Sequence, residues 1–207
     1  GRFYNTTVDF GGGVLTANGN AIFLLELDAA GNHLWSRSLN ATGSGVSGRL
    51  RTAPGGGVVV AGTFDGSLTT GAPSPLVSAG GNDIFMARYD AMGQHVFSQR
   101  FGGTGADGAT AVHARGDILT IGGAFTGPVD FSGGVRTGSA FVLGLSLSDG
   151  GYRWVRAYSG LLNVRDVAVD LAGGVLATGD FSNTVDFGLA TLTSAGRQDA
   201  FLLHFFP

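Results

Sequence analysis

Polar and apolar positions along this chain alternate in short runs with a period of two. In "DIFMARYD" (Asp83–Asp90), Phe85, Ala87 and Tyr89 point one way, while Ile84, Met86 and Arg88 point the other. Neither set is strongly polar, which is the pattern of a strand covered on both sides. "DAMGQ" (Asp90–Gln94) supplies turn chemistry: an aspartate that can bond its own backbone, and a glycine that accepts positive φ. "HVFSQRF" (His95–Phe101) then returns as an antiparallel partner. The same reading predicts strands over Ala109–Ala114, Asp117–Phe125, Ala140–Leu147 and Arg153–Tyr158, about four in one unit.

The pattern recurs. "GGVVVAGTF", "GDILTIGGAF" and "GGVLATGDF" end at Phe64, Phe125 and Phe181, and a truncated "GRF" ends at Phe3, giving spacings of 61, 61 and 56 residues. Val-Asp-Phe follows at Asp9, Asp130 and Asp186, with "GSLTTGAP" in its place in the second unit. A third landmark carries Phe23, Phe85, Phe141 and Phe201, and a fourth carries Trp35, Phe97 and Trp154. The histidine, acids and arginines crowded into Asp83–Gly103 therefore belong to one copy of a structural unit. The expected units are 1–48, 49–108, 109–163 and 164–207, forming a single repeat region. Four short antiparallel strands per radial repeat is the design of a β-propeller blade, so the expected fold is all-β, with about three and a half blades. The repeated aromatics are the expected wedges between blades. A sandwich or single barrel, the competing fold, gives no reason for a repeat of this length.

Composition narrows the function classes. Glycine contributes 38 residues and proline 5, which points to many tight turns. The net charge is −3; all 12 basic residues are arginine, and Glu26 is the one glutamate among 15 acids. That usage disfavours long helices, and the scattered arginines form no nucleic-acid patch. There is no cysteine, hence no disulfide, thiolate metal site or cysteine nucleophile. No apolar run reaches the length of a membrane span, and Gly1-Arg2-Phe3 starts inside the repeat pattern with no signal peptide, as in an excised part of a longer protein.

The ordered landmarks resemble the SBBP-type bacterial β-propeller repeats. The resemblance rests on "VDFG…LTSAGRQDAFLLHF" (Val185–Phe205), "LVSAGGNDIFMARYDAMGQHVFSQRFGGTGADGATAV" (Leu76–Val112) and "DLAGGVLATGDFSNTVDFG" (Asp170–Gly188), and it covers essentially the whole chain. It implies repeats like those of seven-bladed propellers, in a bacterial protein that is secreted or displayed at the cell surface. It implies no particular enzymatic activity. "LTT" in the second unit, and Asn20-Ala21 and Ser139-Ala140 in place of an Asn/Gln-Asp pair, depart from the pattern and argue against Asp83 as a required ligand. A partial ring can be completed by further repeats, by a second copy, or by irregular pairing of its ends. The expected partner is accordingly another protein or a second copy, met through unpaired blade edges.

No catalytic, cofactor or metal residues are assigned. "GSGVSG" (Gly43–Gly48) and "GTGADG" (Gly103–Gly108) match G-x-G-x-x-G, but no helix follows either, so they read as connectors between units. His33, His95, His113 and His204 lack metal-ligand spacing. Asp9, Asp130 and Asp186 suit turn capping better than calcium, which would require a D-x-D-x-D loop. No Ser-His-Asp set or glycosidase carboxylate pair can be assigned from spacing. "NTT" (Asn5–Thr7) and "NAT" (Asn40–Thr42) fit the glycosylation pattern. The expected function is a non-catalytic interaction scaffold. A glycan-binding module and a hydrolase with a central-channel site are the two alternatives.

Overall fold

The computed structural model describes residues 1–188 and 190–207. No helix occurs among them; every regular element is a strand. In chain order, the first unit holds β1 (Arg2–Tyr4), β2 (Thr7–Asp9), β3 (Val14–Thr16), β4 (Asn20–Leu27) and β5 (His33–Ala41). The second holds β6 (Val46–Thr52), β7 (Val58–Phe64), β8 (Ser67–Leu68), β9 (Leu76–Val77), β10 (Asp83–Tyr89) and β11 (His95–Phe101). The third holds β12 (Gly108–Arg115), β13 (Ile118–Ala124), β14 (Val129–Asp130), β15 (Val135–Arg136), β16 (Ala140–Ser146) and β17 (Tyr152–Tyr158). The fourth holds β18 (Leu161–Val169), β19 (Val175–Ser182), β20 (Thr184–Asp186), β21 (Thr191–Thr193) and β22 (Asp199–Phe205).

Four antiparallel sheets result. The second runs β6-β7-β10-β11 and the third β12-β13-β16-β17; each is a complete four-stranded meander. The fourth, β18-β19-β22, has three strands. In the first, β1-β4-β5, the fourth strand of the motif is present and the strand preceding β1 is not; the small β8-β9 pair extends its far edge through Ala41 opposite Leu68. The Val-Asp-Phe landmarks lie in small hairpins, β2-β3, β14-β15 and β20-β21, inserted between the second and third strands of their units. Leu68 and Thr70 fill the corresponding place in the second unit, where both are buried.

The sheets stack in series. One apolar core combines Ile22, Leu24, Trp35 and Leu39 of the first sheet with Phe64, Phe85 and Tyr89 of the second. The next joins Ile84, Met86 and Phe101 of the second to Phe125, Phe131 and Phe141 of the third. The last joins Ala140, Val142 and Tyr158 of the third to Phe181, Phe187 and Phe201 of the fourth. Each sheet thus presents a forward face to its successor and a rear face to its predecessor. The series does not close, for the fourth sheet is not packed against the first.

Two recurring contacts set the spacing. Trp35 lies over Gly93 (φ +70), where an added Cβ would come within 2.5 Å of the indole, and Arg37 Nε donates to the Gly93 carbonyl at 2.8 Å. One unit on, Phe97 and Gln99 meet Gly150 in the same way, with Gln99 Nε2 donating to its carbonyl at 3.1 Å. Within each sheet, a glycine two residues before the landmark phenylalanine faces an aromatic ring: Gly62 opposite Phe85, Gly123 opposite Phe141 and Gly179 opposite Phe201. A Cβ at Gly62, Gly123 or Gly179 would overlap the carbonyl of Ser47, Gly108 or Asn163 on the neighbouring first strand. Glycine is required there by close approach, since the ring and the adjoining strand together leave no room.

Gly62→Ala is expected to destabilise the protein by about 1–3 kcal/mol through overpacking. Gly45→Ala, where an added Cβ meets nothing within 4 Å, is expected to be near neutral. Urea unfolding midpoints of the two variants check the contrast.

Candidate functional site

Carboxylates are the obvious place to look for chemistry, and most of them are engaged with the chain's own backbone. Asp28 Oδ1 accepts from the Ala30 and Asn32 amides at 2.9 and 2.8 Å, and Asp90 Oδ1 from Met92 and Gln94 at 2.9 and 2.8 Å. Asp170 Oδ1 accepts from Ala172 and Gly174, both at 2.8 Å. The Val-Asp-Phe aspartates do the same at exposed turns: Asp9 takes Gly11 and Gly13, Asp130 takes Ser132 and Gly134, and Asp186 takes Gly188. An aspartate bonded to amides two and four residues ahead closes an Asx turn. One carboxylate oxygen is thereby engaged with the chain's own backbone.

The glycine-rich motifs carry the chain from sheet to sheet. Gly43–Gly45 links β5 to β6, and Gly103–Asp107 links β11 to β12. Two aspartates outside the repeated landmarks clamp them. Asp65 accepts from the Ser44 and Gly45 amides at 2.8 and 2.7 Å, and buried Asp107 accepts from Gly103 and Thr126, both at 2.8 Å. Asp83 is fully buried, bonded by the Ala79 amide at 2.9 Å and paired with Arg100 at 2.5 Å. These three were not singled out by the repeat pattern. The signal for them is positional, since each stands at a strand end beside a glycine-rich loop.

The repeated aromatics divide by face. Phe64 and Phe85 belong to the first core, Phe125 and Phe141 to the second, Phe181 and Phe201 to the third. Trp35, Phe97 and Trp154 lie on the core each sheet shares with its successor, and Trp154 packs edge-on to Phe205 at 5.6 Å. Among the described residues no sheet packs on Phe3 and Phe23 from the rear. They pack on each other at 6.3 Å, and Phe10 covers Phe23 at 4.7 Å.

The histidines are dispersed. His33 and His95 each bond a serine three residues on, Ser36 at 3.0 Å and Ser98 at 3.1 Å. His113 Nδ1 accepts from the Val169 amide at 3.2 Å, and His204 meets Asp170 at 2.9 Å. Among the described residues, no group of three His, Cys, Asp or Glu side chains could hold a metal ion. No helix is long and apolar enough to cross a membrane.

The two ends of the stack are chemically different. On the fourth sheet's forward face, Thr178 occupies the place held by Ala61 and Gly122, and Asp180 the place held by Thr63 and Ala124. Asp180 pairs with Arg165 and accepts from Asn163 at 2.8 Å and Gln198 at 2.5 Å. Leu202 there is 69% exposed, whereas its counterparts Leu24 and Met86 are buried. The first sheet's rear is more apolar, carrying half-buried Phe3, Phe23 and Leu25, with Phe10 over Phe23. Next to it, between β1, β4, β6 and β12, opens a groove of about 800 Å³ lined by Arg2, Phe23, Leu25, Ser47, Leu50 and Thr110.

Two stages of acid destabilisation follow from these surroundings. Burial holds the imidazole of His95 below its ordinary value of 6.5; burial, then Arg51 and Arg115, does the same for His113, against an opposing Asp166. Bonds from the Asn32 side chain and amide hold Asp28 below the ordinary 3.8. At Asp65 and Asp180 burial pushes the carboxyl up, but the donors from Gly45 and Ser44, and from Arg165 and Asn163, outweigh it. All these values are depressed in the folded protein, so the unfolded chain takes up protons first as pH falls. Thermal melting is expected to decline slightly below pH 6.5 as the histidines charge, and to decline steeply below pH 3.8. Replacing His95 and His113 together by glutamine removes the first decline and leaves the second. No family model matches this chain, and no curated protein matches it.

Proposed function

We propose that this protein is a non-catalytic interaction scaffold, an arc of β-propeller-type blades that meets another protein through its open first sheet. The observation that carries this reading is the serial identity of the three cores. Each joins one sheet's forward face to the next sheet's rear face, as stacked blades do. The carboxylates and histidines support it from the other side, because they are bonded to their own turns and strands. Resemblance to the SBBP-type repeats supports a place on the outside of a bacterial cell.

The apolar rear of the first sheet is the contact end in this reading, since the fourth sheet carries a polar network. Sedimentation equilibrium is expected to show reversible self-association. Leu25→Asp is expected to weaken it at least about tenfold, as removing one central apolar anchor does, whereas Leu202→Asp leaves it unchanged. A monomer at every concentration would overturn the reading. So would reproducible sugar binding on a glycan array, which would replace the scaffold with a lectin.

A further inference from the structure

The arginines stand singly in the sequence, but the stacking gathers several of them. The first strands of the second, third and fourth sheets, β6, β12 and β18, carry Arg49, Arg51, Arg115 and Arg165 against one acid, Asp166. The chain as a whole has the opposite balance, with 12 basic and 15 acidic residues. These strands converge: Arg51 of the second sheet lies 3.7 Å from Asp166 of the fourth, reaching past the third. We infer that the converged first strands bind an extended acidic peptide, whose alternate carboxylates meet Arg49 and Arg51, with Arg115 adding to the positive field. The site is separate from the rear of the first sheet, so the inference goes beyond the contact proposed there.

Register places each guanidinium. Arg49 and Arg51 oppose Ala61 and Val59 of β7, residues of the core shared with the third sheet, so both lie on the side of β6 that faces β12. Arg115 opposes Ile118, which packs on the core shared with the fourth sheet. Arg49 and Arg115 are exposed, and the Arg51 side chain is 43% exposed. Their hydrogen bonds go to carbonyls: Arg49 Nε to Thr110 at 3.4 Å, Arg51 Nη1 to Leu50 at 3.0 Å and Arg115 Nη1 to Val169 at 3.5 Å. A guanidinium has five N–H donors, so one such bond positions it and leaves the others for a ligand. Arg165 differs, because Asp180 holds it. Asp166 offsets little of the charge: it stands beyond hydrogen-bond length from Arg51, and its Oδ1 accepts from the Val167 amide at 3.0 Å. His113 on β12 registers the field, since burial, then Arg51 and Arg115, hold its imidazole below the ordinary 6.5.

Spacing selects the ligand. Residues two apart on a strand share a side and lie about 7 Å from each other, which is the interval between Arg49 and Arg51 on β6. An extended peptide repeats its side chains at the same interval, so acids at alternate positions meet both guanidiniums at once. The planar fork of arginine offers paired donors to a carboxylate, and arginine clusters recognise acidic motifs in this way. The platform is assembled beforehand. Thr110 Oγ1 donates to the Val164 carbonyl at 2.6 Å, and His113 Nδ1 accepts from the Val169 amide at 3.2 Å, which ties β12 to β18. A ligand therefore has less of the protein to order as it binds.

The probe is acetyl-TETETET-amide. Titrated at low salt into isotope-labelled protein, it is expected to bind saturably and to shift the Nε–H signals of Arg49, Arg51 and Arg115. The Arg153 signal should stay in place, because that side chain is paired with Asp117 on another part of the third sheet. The isomer acetyl-TTEEETT-amide, equal in charge but with its acids adjacent, is expected to bind about threefold more weakly, and Arg49→Gln with Arg51→Gln to weaken the first probe about tenfold, the scale of two exposed ion pairs. Both substitutions lie on an exposed edge, so the double variant should keep the parental melting temperature, and Arg153→Gln should leave binding unchanged. The inference is overturned by failure to saturate at millimolar probe, by equal affinity for the two isomers, or by an affinity that the double variant does not alter. Tighter binding of a single-stranded oligonucleotide of the same charge would overturn it too, by assigning the strip to another class of partner.

Discussion

The molecule depends on the burial of one sheet's forward face beneath the rear face of the next. A sheet that is apolar on both sides has to be covered twice, and the second and third sheets are. Met86 of β10 and Phe85 beside it point to different cores, one shared with the third sheet and one with the first. That double burial explains why the central strands lack the apolar–polar alternation of a half-solvated sheet. It also explains the glycine demand. Sheets stacked this closely leave no volume for a Cβ where an aromatic ring and a neighbouring carbonyl converge.

The same constraint shapes the use of charge. With faces reserved for packing, most carboxylates sit in turns and connectors, while arginines such as Arg37 and Arg88 reach across to carbonyls of the next sheet's turns. Aspartate, short enough to reach its own backbone, serves this purpose where glutamate does not. Asp28, Asp90 and Asp170 each satisfy two amides that a tight reversal would otherwise leave unpaired. A chain with a single glutamate and 14 other acids is what such a pattern of reversals requires.

Much of this was legible in the residue pattern. The period of two over Asp83–Tyr89, the aspartate–glycine turns and the recurring phenylalanines predicted antiparallel strands in repeated units, and strands stand at those places. The inserted hairpins were not foreseen, because Val-Asp-Phe is too short to show a period. Asp65 and Asp107 were passed over, and Asp83 was weighed only as a ligand and set aside, because their roles depend on loops up to 21 residues away in sequence. The polar character of the fourth sheet was written in Thr178 and Asp180, but only the stacking order reveals that their side of the sheet has no successor. Nor could sequence periodicity disclose the groove, whose lining comes from strands of three different sheets.

The network around Asp180 has a further meaning for the whole stack. One carboxylate gathers Arg165, Asn163 and Gln198 on the surface where another layer would otherwise settle. Seating a layer there would strip water from an ion pair, whereas seating one on the opposite end would strip it from Phe3 and Phe23. The two outer faces of the stack consequently differ in what it costs to bury them: one holds an ion pair, the other aromatic rings.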